Sequence, residues 1–148
     1  MKRSDLQIVI TILLIILFCY TAIAKLMDIE EFRRQLANQE LPEWSKTPLL
    51  WLIPGSELLL SVLLSVPQTR KMGYWGSAIL MSLFSGYIGL VVMGYFDRVP
   101  CSCGGVLRSM SFETHLVFNL FFLALTILGL YMFHSQNKHA VTQELKNE

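Results

Sequence analysis

Charged side chains divide this chain into four long apolar blocks, and that division constrains the fold more than any other feature. The blocks run from about Leu6 to Ala24, Pro48 to Val66, Met72 to Phe96 and Thr114 to Phe133. Each is close to the roughly 20 residues that an α-helix needs to cross the hydrocarbon core of a bilayer. None shows the two-residue alternation of a barrel strand. Because backbone polar groups in lipid must be hydrogen-bonded within their own segment, we predict four transmembrane helices.

The composition agrees with a membrane environment. Of the 148 residues, 53% are hydrophobic and 16% are charged, whereas about 25% of a soluble domain is charged. The same hydrophobicity excludes a disordered chain. With 12 basic and 11 acidic residues the net charge is +1, so there is no basic excess to neutralise phosphates. We therefore expect the lipid bilayer, and no nucleic acid, to be a partner of this chain.

The predicted fold class is an all-α membrane protein, a four-transmembrane-helix bundle with a short helix in the first outer connection. We expect one transmembrane domain over residues 1–134 and a polar cytoplasmic tail over residues 135–148. Only Pro67 to Lys71 joins the second and third blocks, which makes these helices antiparallel neighbours. We interpret the first block as a retained helix, because its apolar stretch is longer than that of a usual cleaved signal peptide.

The first connection itself contains a helix signal. Asp28 is a suitable N-cap, and Glu30 and Glu31 place negative charge in the first turn that would follow it. The predicted helix runs to about Asn38 and ends before Pro42.

The orientation in the membrane rests on basic residues. Six lie on the side that holds both termini and six on the opposite side, but those on the terminal side are denser in their short segments. Such density favours cytoplasmic termini. The connection from Lys25 to Thr47 and the loop from Asp97 to Phe112 would then face outward.

The strongest local motif lies in that second loop. Cys101 and Cys103 are separated by one residue and are followed by Gly104 and Gly105. Two thiols so placed can close a tight disulfide, and the glycines permit the turn that it needs. Strained, exposed disulfides exchange readily, which makes this pair a candidate catalytic site. A fixed clip that shapes the loop and a pair of free thiols remain open as alternatives.

Two further readings of the thiols are less favoured. The two loop cysteines, even with His115, lack the fourth ligand that a zinc site needs, so we expect no metal. Cys19, in the first block, is better interpreted as a small apolar residue than as a third thiol in a relay.

Several polar residues interrupt the apolar blocks or stand at their ends. Glu57 is the one acidic side chain inside a block, and intramembrane carboxyl groups usually face other helices or a cavity. Counting turns from the outer ends brings Tyr87 and Asn119 to a similar depth, with His115 and Lys25 at the mouth. Two interpretations remain open: a functional polar cluster beneath the cysteine loop, or a pair between Glu57 and Lys25 that only ties helices together.

Three stretches resemble one family of membrane proteins. Residues Tyr20 to Asp28, followed by Phe32, resemble the first-helix signature of DoxX-like proteins. Residues Ile53 to Leu58 resemble their second-helix Pro-x-x-Glu-Leu pattern. The Cys101-x-Cys103-Gly104 loop is similar to the C-x-C-G loop of the MauE branch, the methylamine-utilisation membrane proteins. The resemblance spans about Leu13 to Leu130.

This resemblance implies a four-helix protein of the bacterial inner membrane that works with thioredoxin-like periplasmic proteins. The MauE branch is associated with maturation of methylamine dehydrogenase, although no residue here specifies methylamine. A looser similarity to disulfide-generating quinone reductases of the vitamin K epoxide reductase type leaves the cofactor unassigned, with a quinone as the open alternative. This chain departs from that type because it has C-x-C in place of C-x-x-C and no second loop pair.

We therefore expect a redox-associated inner-membrane protein that exchanges disulfides with a periplasmic thioredoxin-fold partner through Cys101 and Cys103. The alternative is a non-enzymatic subunit or scaffold that binds other membrane-complex subunits, with a structural loop disulfide. A small-molecule carrier built on the Glu57 cluster is disfavoured, because four spans contain no inverted repeat.

Overall fold

Five α-helices form the described part of the protein. The computed structural model describes residues 3–39, 41–95 and 112–147, with side chains at 4–39, 41–95 and 113–135. The helices are α1 (Arg3–Met27), α2 (Ile29–Ala37), α3 (Glu43–Ser65), α4 (Arg70–Val92) and α5 (Phe112–Asn147). These residues contain no β-strand. The predicted all-α fold class is confirmed.

Four of the helices are long and apolar enough to cross a membrane. The candidate spans are Ser4–Met27, Glu43–Ser65, Arg70–Val92 and Glu113–Ser135. Large apolar side chains stand exposed on all four, among them Ile16, Leu59, Leu83 and Phe121. A soluble monomer rarely exposes so much contiguous apolar surface, whereas lipid would cover it.

The four long helices pack with alternating direction. The prediction that α3 and α4 are antiparallel neighbours is confirmed, because Gly73 approaches the backbone of Leu64 while Gly76, further along α4, approaches Leu60. Helix α1 packs against α3 and α5, and α4 also packs against α5. A continuous core joins all four helices: Ile10, Leu14 and Phe18 of α1, Leu60 and Leu64 of α3, Tyr74 and Met81 of α4, and Met132 of α5.

Helix α2 forms in the first connection, as predicted. The carboxylate of Asp28 accepts a hydrogen bond from the backbone N–H of Glu31 at 3.3 Å, which caps the helix. The helix buries Phe32 and Leu36 against Leu50 of α3. It therefore lies across the same end of the helices as Lys25, which is called the Lys25 end below.

Two helices extend beyond the bounds expected for them. Helix α3 begins at Glu43, five residues before the apolar block, because Pro42 stands at its N-cap and the polar first turn continues the helix. Helix α5 continues to Asn147 through residues that the sequence analysis assigned to the tail.

Helix α4 ends at Val92, whereas the apolar block continues to Phe96. The reason is Gly94, whose φ of +70° lies in the left-handed region. The N–H of Tyr95 donates to the carbonyl of Leu90 at 3.1 Å, which closes a Schellman motif. Hydropathy alone did not reveal this stop signal.

We expect Gly94→Ala to lower the free energy of unfolding by about 1 kcal/mol, because a Cβ is disfavoured at positive φ. Gly94→Asn should cost less, since asparagine tolerates this conformation. Unfolding of the purified protein in mixed micelles measures both. Equal losses for Ala and Asn would contradict the capping role.

Candidate functional site

A buried ion pair joins α1 to α3 near the Lys25 end. The Nζ of Lys25 lies 2.9 Å from Oε1 and 3.1 Å from Oε2 of Glu57. The same Nζ donates to the backbone carbonyl of Thr21 at 3.3 Å. Lys25 and Glu57 are 8% and 4% exposed. Because an unpaired charge inside a membrane is costly, this mutual neutralisation is what allows both groups to be there.

The position of Glu57 along its helix differs from the sequence-based count. It lies fourteen residues after the start of α3 at Glu43, past the middle of the helix, because α3 begins before the apolar block from which its depth was counted. The α3 N-terminus extends beyond the end of α1, where it packs against α2. Lys25, two residues from the end of α1, still reaches the carboxylate through its long side chain.

All five predicted intramembrane residues line one cavity of about 360 Å³. They are Lys25, Glu57, Tyr87, His115 and Asn119. Counting helical turns predicts this grouping, and the structure brings the five side chains together. Most of the remaining lining is apolar, with Leu17, Phe18, Ile53, Phe84 and Phe118 among it.

Helix α2 and the residues after it contribute part of the cavity wall, which the sequence analysis did not foresee. Phe32 and Leu36 line the cavity from α2, and Gln39 lines it just beyond the helix. The hydroxyl of Tyr87 donates to Oε1 of Gln39, which ties this segment to α4. The spacing of Phe32 and Leu36 by four residues marks the apolar face of α2 and is the signal that could have placed it here.

His115 and Asn119 face the cavity from one side of α5. They stand four residues apart, so they share a helix face, and they are 8% and 7% exposed. Neither has a hydrogen-bond partner among the described residues.

The predicted cysteine pair, Cys101 and Cys103, lies outside the described residues. The chain that contains it connects the end of α4 to the start of α5, and both helix ends lie at the Lys25 end. Cys19 is a partly buried free thiol in α1, and it does not line the cavity.

The family of this chain is indicated by a match that covers nearly all of the four membrane spans. A family model described as "Methylamine utilisation protein MauE" matches residues 3–132, which include all four candidate spans nearly to their last residue. The chain belongs to the MauE family. The resemblance that the sequence analysis found on short motifs is thereby confirmed. Neither the curated proteins nor the solved structures contain a significant match to this MauE-family chain.

Proposed function

We propose that this MauE-family protein supports protein maturation on the outer side of the bacterial inner membrane by thiol–disulfide exchange. Cys101 and Cys103 carry the exchange, and the partner is a soluble thioredoxin-fold protein. Both termini are cytoplasmic in this proposal. Methylamine utilisation, after which the family is named, is then served through maturation of a protein rather than through binding of the amine.

One observation carries the proposal: the two helices that hold the cysteine segment are built into the core. Helix α4 contacts both α3 and α5, and α5 also contacts α1. The segment between Val92 and Phe112 is therefore attached at both ends to a packed membrane structure. A docking partner would therefore meet the chain that carries the thiol pair between two helix ends that are anchored in the membrane structure.

The exchange balances without a further reagent. A thiolate of the reduced member attacks the disulfide of the other, and a mixed disulfide forms while one thiolate leaves. The second cysteine of the attacking pair then resolves the mixed disulfide. One disulfide is reduced, one dithiol is oxidised, and two electrons with two protons have passed between the proteins.

Trapping tests this proposal in intact cells. Cys101→Ser or Cys103→Ser removes the resolving thiol, so one of the two variants should accumulate a reductant-sensitive adduct, visible on non-reducing gels and identified by mass spectrometry. A membrane-impermeant maleimide should label the loop thiols of intact, reduced cells. Cys19→Ala is the matched control, because it removes a thiol that lies within a span and should leave the adduct unchanged.

Two outcomes would contradict the proposal. If neither single variant traps a protein and the double variant supports full function, the loop has only a structural role and the protein is a scaffold. If the loop thiols are labelled only after lysis, the orientation is reversed.

A further inference from the structure

We propose that the cavity beneath α2 binds an uncharged, lipid-soluble ring compound that carries carbonyl groups, the chemistry of a quinone. The inference rests on the described helices alone and holds whether or not the cysteine pair exchanges disulfides. Its elements are the apolar wall, the neutralised ion pair and two buried polar side chains without a partner.

The cavity has the size and the wall of a small-molecule site. Its volume of about 360 Å³ falls within the roughly 300–1,000 Å³ of ligand pockets, which are mainly apolar with a few polar groups. Leu17, Phe84 and Phe118 belong to the apolar wall, which all four long helices contribute to. A compound dissolved in the bilayer is the kind of ligand that such a wall selects.

The ion pair between Lys25 and Glu57 determines which ligand charge the cavity accepts. Among the described residues that line the cavity, Lys25 and Glu57 are the two of ordinarily charged type, and both carboxylate oxygens of Glu57 lie within hydrogen-bond distance of Lys25. A cationic amine would have to compete with Lys25 for the carboxylate of Glu57. An anion would have to compete with Glu57 for the one ammonium group. Since an unpaired buried charge is strongly unfavourable, the cavity favours an uncharged ligand.

His115 and Asn119 specify the polar part of that ligand. Both are more than nine-tenths buried, and neither has a hydrogen bond to a described residue. Ser85 Oγ is the one described side-chain polar atom that is both fully buried and unpaired, so the polar atoms of His115 and Asn119 are reached from the cavity that these residues line, where a ligand can bond them. The amide of Asn119 offers two donors and the imidazole of His115 at least one. One turn apart on α5, they can meet the carbonyl oxygens of a single compact ring.

The test uses the full chain with Cys101→Ser and Cys103→Ser, so that thiol exchange plays no part. Decylubiquinone is titrated into the purified protein in nanodiscs, and binding is followed by calorimetry. We expect saturable binding at one site per chain. Asn119→Leu and His115→Leu should each weaken it by about fivefold or more, the worth of one net hydrogen bond. Dodecylamine and dodecanoate should not compete.

Thr126→Val is the matched control. Thr126 is buried on the same helix, its hydroxyl is bonded to the carbonyl of Phe122, and it does not line the cavity. Its replacement should leave the affinity for decylubiquinone unchanged. Asn119→Leu removes an unpartnered polar group, so this variant should remain folded, which circular dichroism verifies.

Three results would overturn the inference. If Asn119→Leu, His115→Leu and the parent protein bind decylubiquinone with equal affinity, the probe only partitions into lipid. Dodecane that competes with decylubiquinone as strongly as a second quinone would show that the cavity binds apolar chains without using its polar residues. Stronger binding of dodecylamine than of decylubiquinone would show that Glu57 is available to a cation.

Discussion

Glu57→Gln and Lys25→Met should each lower the free energy of unfolding by about 3–5 kcal/mol, the usual cost of breaking a buried pair from one side. The expectation follows from burial: the two side chains are 9% and 5% exposed and their closest atoms are 2.9 Å apart. Glu57→Gln leaves a buried ammonium without its counter-ion, and Lys25→Met leaves a buried carboxylate. Unfolding in mixed micelles of increasing denaturing detergent measures the loss.

The double variant Lys25→Met/Glu57→Leu should be more stable than either single one, because apolar residues of similar size often replace a buried pair at little cost. Glu30→Gln is a suitable control, since Glu30 and Arg33 form a pair at 3.2 Å that is mostly exposed and such pairs contribute little. Additive losses in the double variant would show that Lys25 and Glu57 are not energetically coupled.

The same variants separate the two roles that the sequence left open for the pair. If it only ties α1 to α3, the double variant should keep both thiol exchange and quinone binding. If it sets the charge of the cavity, replacing it with apolar side chains should change ligand affinity while the helices stay assembled.

The four spans and α2 could be predicted from the sequence because each depends on local information. Apolar length defines a span, and the Asp28 cap with its acidic first turn defines the start of α2. The grouping of Tyr87, Asn119 and His115 also followed from helix rise, which gives the depth of a residue, whereas Glu57 lies further along α3 than the apolar block indicated. The depth of a residue in the membrane depends only on its position along the helix axis, which the constant rise per residue fixes.

Lateral arrangement could not be predicted in the same way. That α1 packs on α3 and α4 on α5 depends on which helix faces complement one another, and the short turn specified only the α3–α4 pair. The Lys25–Glu57 contact was one of several pairings that depth allowed. The contribution of α2 to the cavity, through Leu36 and the Gln39–Tyr87 bond, required knowing that α2 folds back over the helix ends.

The small residues of the third apolar block show the same limit. Small residues on a membrane helix permit the close approach of a neighbouring helix. Gly73 and Gly76 do so against α3, but an added Cβ at Gly86 or Gly89 would meet nothing within 4 Å among the described residues. Small residues indicate where helices can approach, and tertiary structure decides which of them are used.

The closest such approach lies at the opposite end of the helices from Lys25, between Gly129 of α5 and Tyr74 of α4. A Cβ at Gly129 would lie 2.8 Å from Cζ and 2.9 Å from Oη of Tyr74, and closer still to Cε1. Tyr74 is fully buried, and its hydroxyl lies 2.8 Å from Oγ1 of Thr11 on α1. The ring therefore cannot turn away without breaking the contact that joins α4 to α1.

Gly129→Ala should accordingly lower the free energy of unfolding by about 1–3 kcal/mol, the usual cost of overpacking a core, despite the better helix propensity of alanine. Gly86→Ala is the matched control and should be neutral or slightly stabilising, because nothing described lies within 4 Å of its added methyl group. Adding Tyr74→Leu to Gly129→Ala should cost less than the sum of the two single losses, since the smaller side chain makes room for the methyl group. If Gly129→Ala matches Gly86→Ala in the detergent titration, α4 and α5 do not approach each other this closely in the membrane.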